Sequence, residues 1–190
     1  MSKKILAILF LSAAVQLGFF LPSIPAKEKA DIENVVIQQQ QGNLEVSFRV
    51  NNCFTPKMEQ AVLSGVPTTF RMLVVLERAA HSLIQPPVVE IAVEHSLKYD
   101  VLKKEFRVQL PEYPDKVRYT KDFTEARQLM SRVDGLPLMP LRRLTKDREY
   151  RLRIKAELSK LKLPLFIRYI FFFVSLWDFE TDWRDTPFSL

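Results

Sequence analysis

The chain has 190 residues, of which 47% are hydrophobic and 26% are charged. This balance is typical of a globular protein and excludes a disordered one, and the length fits one domain of roughly 100–200 residues with an extra segment. The single cysteine excludes an intramolecular disulfide, so the fold has to rest on packing.

Residues 1–26 have the pattern of a targeting segment. Lys3 and Lys4 precede an apolar run over residues 5–21, and Pro22 ends any helix formed by that run. The run is slightly long for a cleaved signal peptide and slightly short for a full membrane span of about 20 residues. A cleaved signal peptide and a retained membrane anchor therefore both stay open. In both versions the cationic flank stays inside, which predicts an extracytoplasmic, periplasmic location for the rest of the chain.

Several strands are predicted after position 30, because apolar and polar residues alternate there as side chains do on the two faces of a strand. The sequence Gln41-Gly42-Asn43 is a turn signal between the first two segments, which predicts a hairpin. The predicted strands are residues 31–39, 44–50, 69–77, 88–98, 106–110 and 150–158.

Two short helices are predicted between these strands. Thr55 is a good N-cap, Pro56 suits the first helical position, and Gly65 closes this first helix. The second helix begins at Asp122, and its apolar positions recur at helical spacing until Gly135 ends it.

The order of these elements predicts the fold class. Strands in runs, with helices inserted among them, favour an antiparallel arrangement over a doubly wound one. We expect a mainly β fold, an antiparallel β-sandwich-like single domain over residues 31–190. It should carry two or three inserted short helices and be preceded by an N-terminal apolar helix.

The last predicted strand and the C-terminal tail carry opposite charges. Arg151, Arg153 and Lys155 share the polar face of the strand over residues 150–158. Three carboxylates alternate with other residues in the tail and would share a face on a strand; they are Asp178, Glu180 and Asp182. One interpretation is a cation site or an acid/base pair. We favour structural charge pairing, because the complementary strand exists in the same chain.

An apolar run over residues 163–177 carries a single charge and is too short to span a bilayer. Such a run is more often a core helix, and that interpretation stays open. The other is a segment at the membrane interface, where tyrosine, tryptophan and basic side chains lie at headgroup level. The candidate interface or lipid-contact residues are Arg168, Tyr169, Phe171, Phe172, Phe173 and Trp177.

Basic residues are concentrated in one stretch, since residues 142–168 contain ten basic and three acidic side chains. A basic surface attracts phosphates, either of nucleic acid or of lipid headgroups. We expect no nucleic-acid partner, because the chain is predicted to be exported and the cations alternate along a strand instead of lining a groove-reading helix.

No catalytic residue, metal site or cofactor is predicted. The chain has four glycines and no phosphate-binding loop. His81 and His95 are far apart in sequence, with no cysteine or paired histidine at ligand spacing. No serine lies in the sharp strand-to-helix turn of a hydrolase nucleophile.

Four segments together resemble a known family. They are residues 52–59 (Asn-Cys-Phe before a Thr-Pro helix), 64–70, 98–102 and 177–183. Their order and spacing are similar to the bacterial domain-of-unknown-function family numbered 4390, from about residue 31 to the C-terminus. The resemblance implies a short protein with an N-terminal apolar segment and no assigned activity. It also implies an envelope partner in signalling, since family members tend to be encoded beside sensor histidine kinases of the nitrogen-regulation type.

We therefore expect a non-enzymatic envelope domain that binds a membrane-associated protein or a membrane component, with modulation of a membrane sensor kinase as one role. Two alternatives stay open. One is a lipid or hydrophobic-ligand binder that uses the region around Phe172, and the other is an envelope hydrolase that uses the C-terminal carboxylates.

Overall fold

A computed structural model describes residues 29–79, 86–159 and 179–190. These ranges form nine strands, two α-helices and one short 3-10 helix. The strands are β1 (Asp31–Gln40), β2 (Asn43–Asn51), β3 (Thr68–Arg78), β4 (Val89–Asp100), β5 (Glu105–Gln109), β6 (Val117–Thr120), β7 (Arg132–Pro140), β8 (Glu149–Leu158) and β9 (Arg184–Ser189). The helices are α1 (Pro56–Leu63) and α2 (Phe123–Ser131), and the 3-10 helix is Leu141–Arg143.

The strands form two antiparallel sheets that enclose one hydrophobic core. The smaller sheet has the order β1-β2-β7, and the larger has the order β6-β5-β4-β3-β8-β9. Strand β1 contacts β8 and β9, β7 contacts β4, and α2 contacts β4 and β5. The smaller sheet and α2 thus share the covering of the larger sheet's inner face. The predicted mainly β, antiparallel fold with inserted short helices is confirmed, and the predicted N-terminal helix lies outside the described residues.

The first hairpin follows from its turn. Gln41 and Gly42 both have positive φ, 50° and 77°, as a two-residue turn between right-twisted strands requires. The side chains of Leu44, Val46 and Phe48 are buried on the core face, as the alternation predicts. Helix α1 also begins as expected, since the Thr55 hydroxyl accepts a hydrogen bond from the backbone N–H of Met58 at 3.2 Å.

The predicted second helix is too long. Helix α2 ends at Ser131, and the next nine residues form β7. Val133 pairs with Phe48 of β2 and is fully buried there, so the pairing with β2 overrides the helical spacing that Val133 also satisfies. Pro137 fits this strand because β7 is an edge of the smaller sheet, where a proline removes no needed hydrogen bond.

The two ends of the larger sheet are formed by different segments of the chain. Strand β8 runs beside β3 in the antiparallel direction, and after β8 the backbone N–H of Ser159 donates to the carbonyl oxygen of Thr69 at 2.8 Å. The start of β3 and the ends of β4 and β8 therefore lie at one end of the sheet. The loop over residues 141–148 leads into β8 at the opposite end.

Candidate functional site

Three points where the chain enters or leaves the described structure lie close together. The chain leaves after Ser159 and returns at Phe179, whose carbonyl oxygen accepts a hydrogen bond from the N–H of Leu158 at 3.0 Å. The first described residue, Lys29, places its ammonium nitrogen 2.8 Å from Oδ2 of Asp182. We call this region, marked by Lys29, Ser159 and Phe179, the exit end.

The return point is fixed firmly in the core. Phe179 is buried and meets the ring of Phe70 edge-on, with the ring centroids 4.8 Å apart. Thr181 exchanges hydrogen bonds with Ala156 in both directions, through its N–H at 2.9 Å and its hydroxyl at 3.0 Å. Since Ala156 lies three residues before Ser159, the Lys29–Asp182 contact is about 10 Å along the strand from the exit. Residues 1–28 and 160–178, which contain both apolar runs of the sequence, thus connect to one region of the domain.

The six candidate lipid-contact residues all lie in residues 160–178, outside the described structure. They are Arg168, Tyr169, Phe171, Phe172, Phe173 and Trp177. The described residues that flank this segment, Ser159 and Phe179, both lie at the exit end.

A tight turn projects beyond the same end of the sheet. Leu97 of β4 is level with Thr68 at the start of β3, and β4 continues for three more residues to Asp100, so the turn over residues 101–104 begins roughly 10 Å past the start of β3. Leu102 at its tip is 95% exposed, and Val101 is 55% exposed. The sequence places this segment between the predicted strands over residues 88–98 and 106–110. It does not indicate whether Val101 and Leu102 face the core or water.

Hydrogen bonds hold this turn in shape. One carboxylate oxygen of Asp100 accepts from the backbone N–H groups of Leu102 and Lys103, each at 3.0 Å. The bond from Lys103 is the main reason that the pKa of Asp100 is lowered, so this carboxylate stays ionised and keeps both acceptor contacts. Lys104 has a φ of 54°, which closes the turn into β5.

The predicted charge stripe of β8 is largely paired. Nε of Arg153 lies 3.1 Å from Oδ1 of Asp185 and its Nη1 lies 3.4 Å from Oε1 of Glu77. The ammonium group of Lys155 contacts the carboxylate of Glu180. Arg151 is exposed and makes no ion pair with any residue in the described ranges.

Trp183 completes this face. The Arg153 guanidinium carbon lies 4.7 Å from the Trp183 ring centroid, and the Lys155 nitrogen lies 5.7 Å from it. Both cations are therefore held between an aromatic ring and carboxylates. Of the C-terminal acids, Glu180 pairs with Lys155 and Asp182 pairs with Lys29, whereas Asp178 lies outside the described residues. The two described acids therefore contact different cations.

The basic stretch of the sequence is not one surface. Arg142, Arg143, Lys146 and Arg148 lie in the loop at the end of the sheet opposite the exit end. The ten residues of β8, about 33 Å of extended chain, separate this loop from Ser159. We call the loop over residues 141–148 the basic end.

Two open cavities flank α2. One, of about 320 Å³, is lined by residues that include Tyr113, Glu125 and Arg132. The other, of about 380 Å³, is lined by residues that include Cys53 and Arg127. In their walls Arg132 pairs with Asp134 at 2.6 Å, and Arg127 pairs with Glu59 at 2.8 Å.

The thiol in the second cavity wall is buried. Burial raises the pKa of Cys53 to about 12, and its sulfur donates a weak hydrogen bond to the carbonyl oxygen of Val50 at 3.4 Å. At neutral pH this cysteine is therefore a protonated, unreactive side chain.

One ionisable pair is hidden under α2. The side chains of His95 and Glu112 are 0% and 5% exposed, and Nε2 lies 2.6 Å from Oε1. Nδ1 of His95 lies 3.1 Å from the carbonyl oxygen of Met130, which can only accept, so Nδ1 carries a hydrogen. Both ring nitrogens are thereby engaged within the core. Oε2 of Glu112 is buried and has no hydrogen-bond partner among the described residues. The pair ties β4 to α2 and to the β5–β6 loop, and it is closed to substrate.

The described ranges hold neither a metal-binding group nor a membrane-spanning helix. No group of three or more histidine, cysteine, aspartate or glutamate residues there could hold a metal ion. No helix in that part of the chain has the length and apolar content needed to cross a membrane. His81 lies outside the described residues.

Comparison with known proteins identifies the family. No curated protein and no solved structure is significantly similar to the chain. The family model described as "Domain of unknown function (DUF4390)" matches residues 27–187. This match covers both sheets, both α-helices and the exit end. The chain therefore belongs to the DUF4390 family.

Proposed function

We propose that this chain is a non-enzymatic interaction domain of the bacterial envelope. Its apolar segments hold it against the outer side of the cytoplasmic membrane, where it binds a membrane-associated protein. The observation that carries the proposal is the clustering of Lys29, Ser159 and Phe179 at the exit end. Both apolar runs of the sequence connect to the domain there, and one bilayer could therefore hold both.

The placement of the residues that flank the second apolar run supports an interfacial position for it. The residues that flank it, Ser159 and Phe179, lie side by side, so the segment between them has to start and finish on the same side of a bilayer. A single crossing would separate its ends by the hydrocarbon thickness of about 30 Å. An apolar segment with tyrosine, tryptophan and arginine suits the headgroup boundary instead.

The hydrolase alternative has less support. Glycosidase and protease mechanisms of the acid/base type need two carboxyl groups that share a substrate site. Glu180 and Asp182 instead contact Lys155 and Lys29 on an exposed sheet face. The buried His95–Glu112 pair is out of reach of any substrate.

The hydrophobic-ligand alternative is also less favoured. The cavities beside α2, at about 320 and 380 Å³, are at the small end of the range for ligand sites, roughly 300–1,000 Å³. Arg127, Gln128 and Arg132 are among the residues that line these two cavities, and Phe172, on which this alternative rests, lies outside the described residues. Native mass spectrometry of the purified full chain should find no co-purified lipid in a defined stoichiometry, and a stoichiometric lipid would favour this alternative.

Crosslinking in intact envelopes tests the proposal. The tagged full chain should be crosslinked, captured and analysed by mass spectrometry, beside a matched Leu9→Arg variant whose apolar run over residues 5–21 is interrupted. We expect the native chain to capture a membrane protein that the variant does not. A membrane sensor kinase is the first partner to look for, because the family resemblance points to envelope signalling. If only bulk lipid is recovered, the protein-binding part of the proposal is wrong.

A further inference from the structure

The turn over residues 101–104 exposes apolar side chains in a way that needs a physical explanation. Leu102 is 95% exposed and Val101 is 55% exposed, and exposed Leu63 at the end of α1 is also 46% exposed. A scattered exposed leucine is ordinary, but Val101 and Leu102 are neighbours on one projecting turn. A Cβ atom built on Gly65, just after α1, would lie 3.4 Å from Val101, so the helix end stands directly behind the turn.

The exposure is built into a rigid element. The bonds from Asp100 to the N–H groups of Leu102 and Lys103 fix the backbone, and β4 and β5 continue in register on both sides, with Asp100 paired to Glu105. A flexible loop could fold Leu102 back onto the protein. This turn holds the side chain outward.

Basic side chains surround the apolar tip. Lys103 and Lys104 follow Leu102 directly, and Lys98 and Arg107 face each other across the β4–β5 pair below it. Only two acids, Asp100 and Glu105, lie among these four cations. An apolar point between lysines matches the layered chemistry of an anionic bilayer surface, where acyl chains lie beneath negative headgroups.

The position of the turn identifies the surface that it meets. It projects past the exit end, where residues 1–28 and 160–178 connect to the domain. The basic end, by contrast, has four cations in its loop but is about 33 Å from Ser159 along β8. Charge alone would favour the basic end as the lipid contact, and the combination of apolar tip and exit position favours the turn.

We propose that the β4–β5 turn is a docking tip for an anionic lipid bilayer. Leu102 inserts at the level of the upper acyl chains, Val101 follows it, and Lys103 and Lys104 contact the headgroups. This inference rests on the proposed membrane-held function. It adds the turn over residues 101–104 as a second point of membrane contact beside the exit end. Two separated contacts fix the tilt of the domain over the bilayer, which a single point of contact does not.

Site-specific fluorescence tests the tip in the full chain. An environment-sensitive nitrobenzoxadiazole label is attached at Leu102→Cys, and the protein is reconstituted in vesicles of phosphatidylethanolamine and phosphatidylglycerol. The native cysteine, Cys53, is buried with its pKa raised to about 12, so the unmodified chain gives the background. Lys146→Cys, at the exposed basic end, is the matched control.

We expect a blue-shifted emission at position 102, quenched by nitroxide lipids, and a water-like emission at position 146. The double variant Lys103→Glu with Lys104→Glu should return the label at position 102 toward a water-like emission. An unchanged blue shift in that variant would overturn the headgroup contact, and a blue shift that appears only when a membrane protein is added would overturn the lipid assignment.

A third label separates failure of the tip from failure of the proposed function. Phe172→Cys reports on the apolar run itself. If position 172 is blue-shifted and quenched by nitroxide lipids while position 102 is water-like, the docking tip is wrong and the membrane-held function stands. If both positions are water-like, both proposals are wrong.

Discussion

The buried pair of His95 and Glu112 gives the sharpest prediction about stability. Replacing either residue by leucine removes one side of a 2.6 Å contact that is almost fully shielded from water. The two replacements are not equivalent. His95→Leu leaves a buried carboxyl group alone and also removes the donor to the Met130 carbonyl oxygen. Glu112→Leu leaves the imidazole with its bond to Met130, and it also removes the unpartnered Oε2.

The expected sizes follow from what remains unpaired. Removing one partner of a buried ionisable pair costs up to about 3–5 kcal/mol, whereas a single buried polar atom left without a partner costs about 1–3 kcal/mol. His95→Leu should therefore lower the free energy of unfolding more than Glu112→Leu. The double variant should cost less than the sum of the two, by a coupling of about 0.5–3 kcal/mol.

Thermal unfolding of the full chain in mild detergent, followed by circular dichroism, measures these effects. A cost of about 3–5 kcal/mol corresponds to a fall in Tm of roughly 6–20 °C for a domain of this size. Glu112→Gln is the matched control, because its amide can still donate to Nε2, and it should lose less than Glu112→Leu. Equal and additive losses for the two leucine variants would refute a stabilising contact between Nε2 and Oε1.

Three other predictions concern single features. The Cys53 thiol should resist alkylation in the native state and react only after unfolding; because its folded pKa is raised from 9.0 to about 12, its contribution to stability should be complete below pH 9 and lost as the pH rises toward 12. A thiol that reacts fully at neutral pH without unfolding would contradict the burial. Glu180→Gln and Asp182→Asn should each lower the free energy of unfolding by at most about 1 kcal/mol, since their ion pairs are exposed; a larger loss in urea unfolding would mean that these acids have a further structural role. Gly65→Ala should destabilise more than Gly42→Ala, because both have positive φ but only Gly65 has a neighbour, Val101, within 4 Å of the added Cβ; equal melting temperatures for the two variants would show that this contact relaxes freely.

The parts of the fold that the sequence predicts are those where one local signal is unopposed. The alternation in β2 and β8 and the Thr55 cap have a single interpretation, and the structure has them as expected. The predicted end of α2 was wrong, because Val133 satisfies both the helical and the strand pattern. Only its pairing with Phe48 decides between the two. Strand β9 contains Pro187 and is short, so it gives little local signal as an edge strand.

The candidate site follows the same rule. The proximity of Lys155 to the C-terminal acids can be anticipated from complementary charges, and the two do meet at Glu180. The partners of Arg153 depend on the register of β8 against β3 and β9, which pattern alone does not give. The exposure of Leu102 and the contact between His95 and Glu112 depend on how the elements pack together. The local sequence around such a residue does not indicate whether it lies on the surface or in the core.

The proposed function requires that the domain lies on the outer side of the cytoplasmic membrane. An alkaline phosphatase fused after Leu190 is active only outside the cytosol, whereas a green fluorescent protein at the same position is fluorescent only inside it. We predict an active phosphatase and a dark fluorescent fusion, with both results reversed by Leu9→Arg in the N-terminal run. A fluorescent fusion together with an inactive phosphatase in the native chain would contradict the membrane-held, extracytoplasmic function and the docking tip that rests on it.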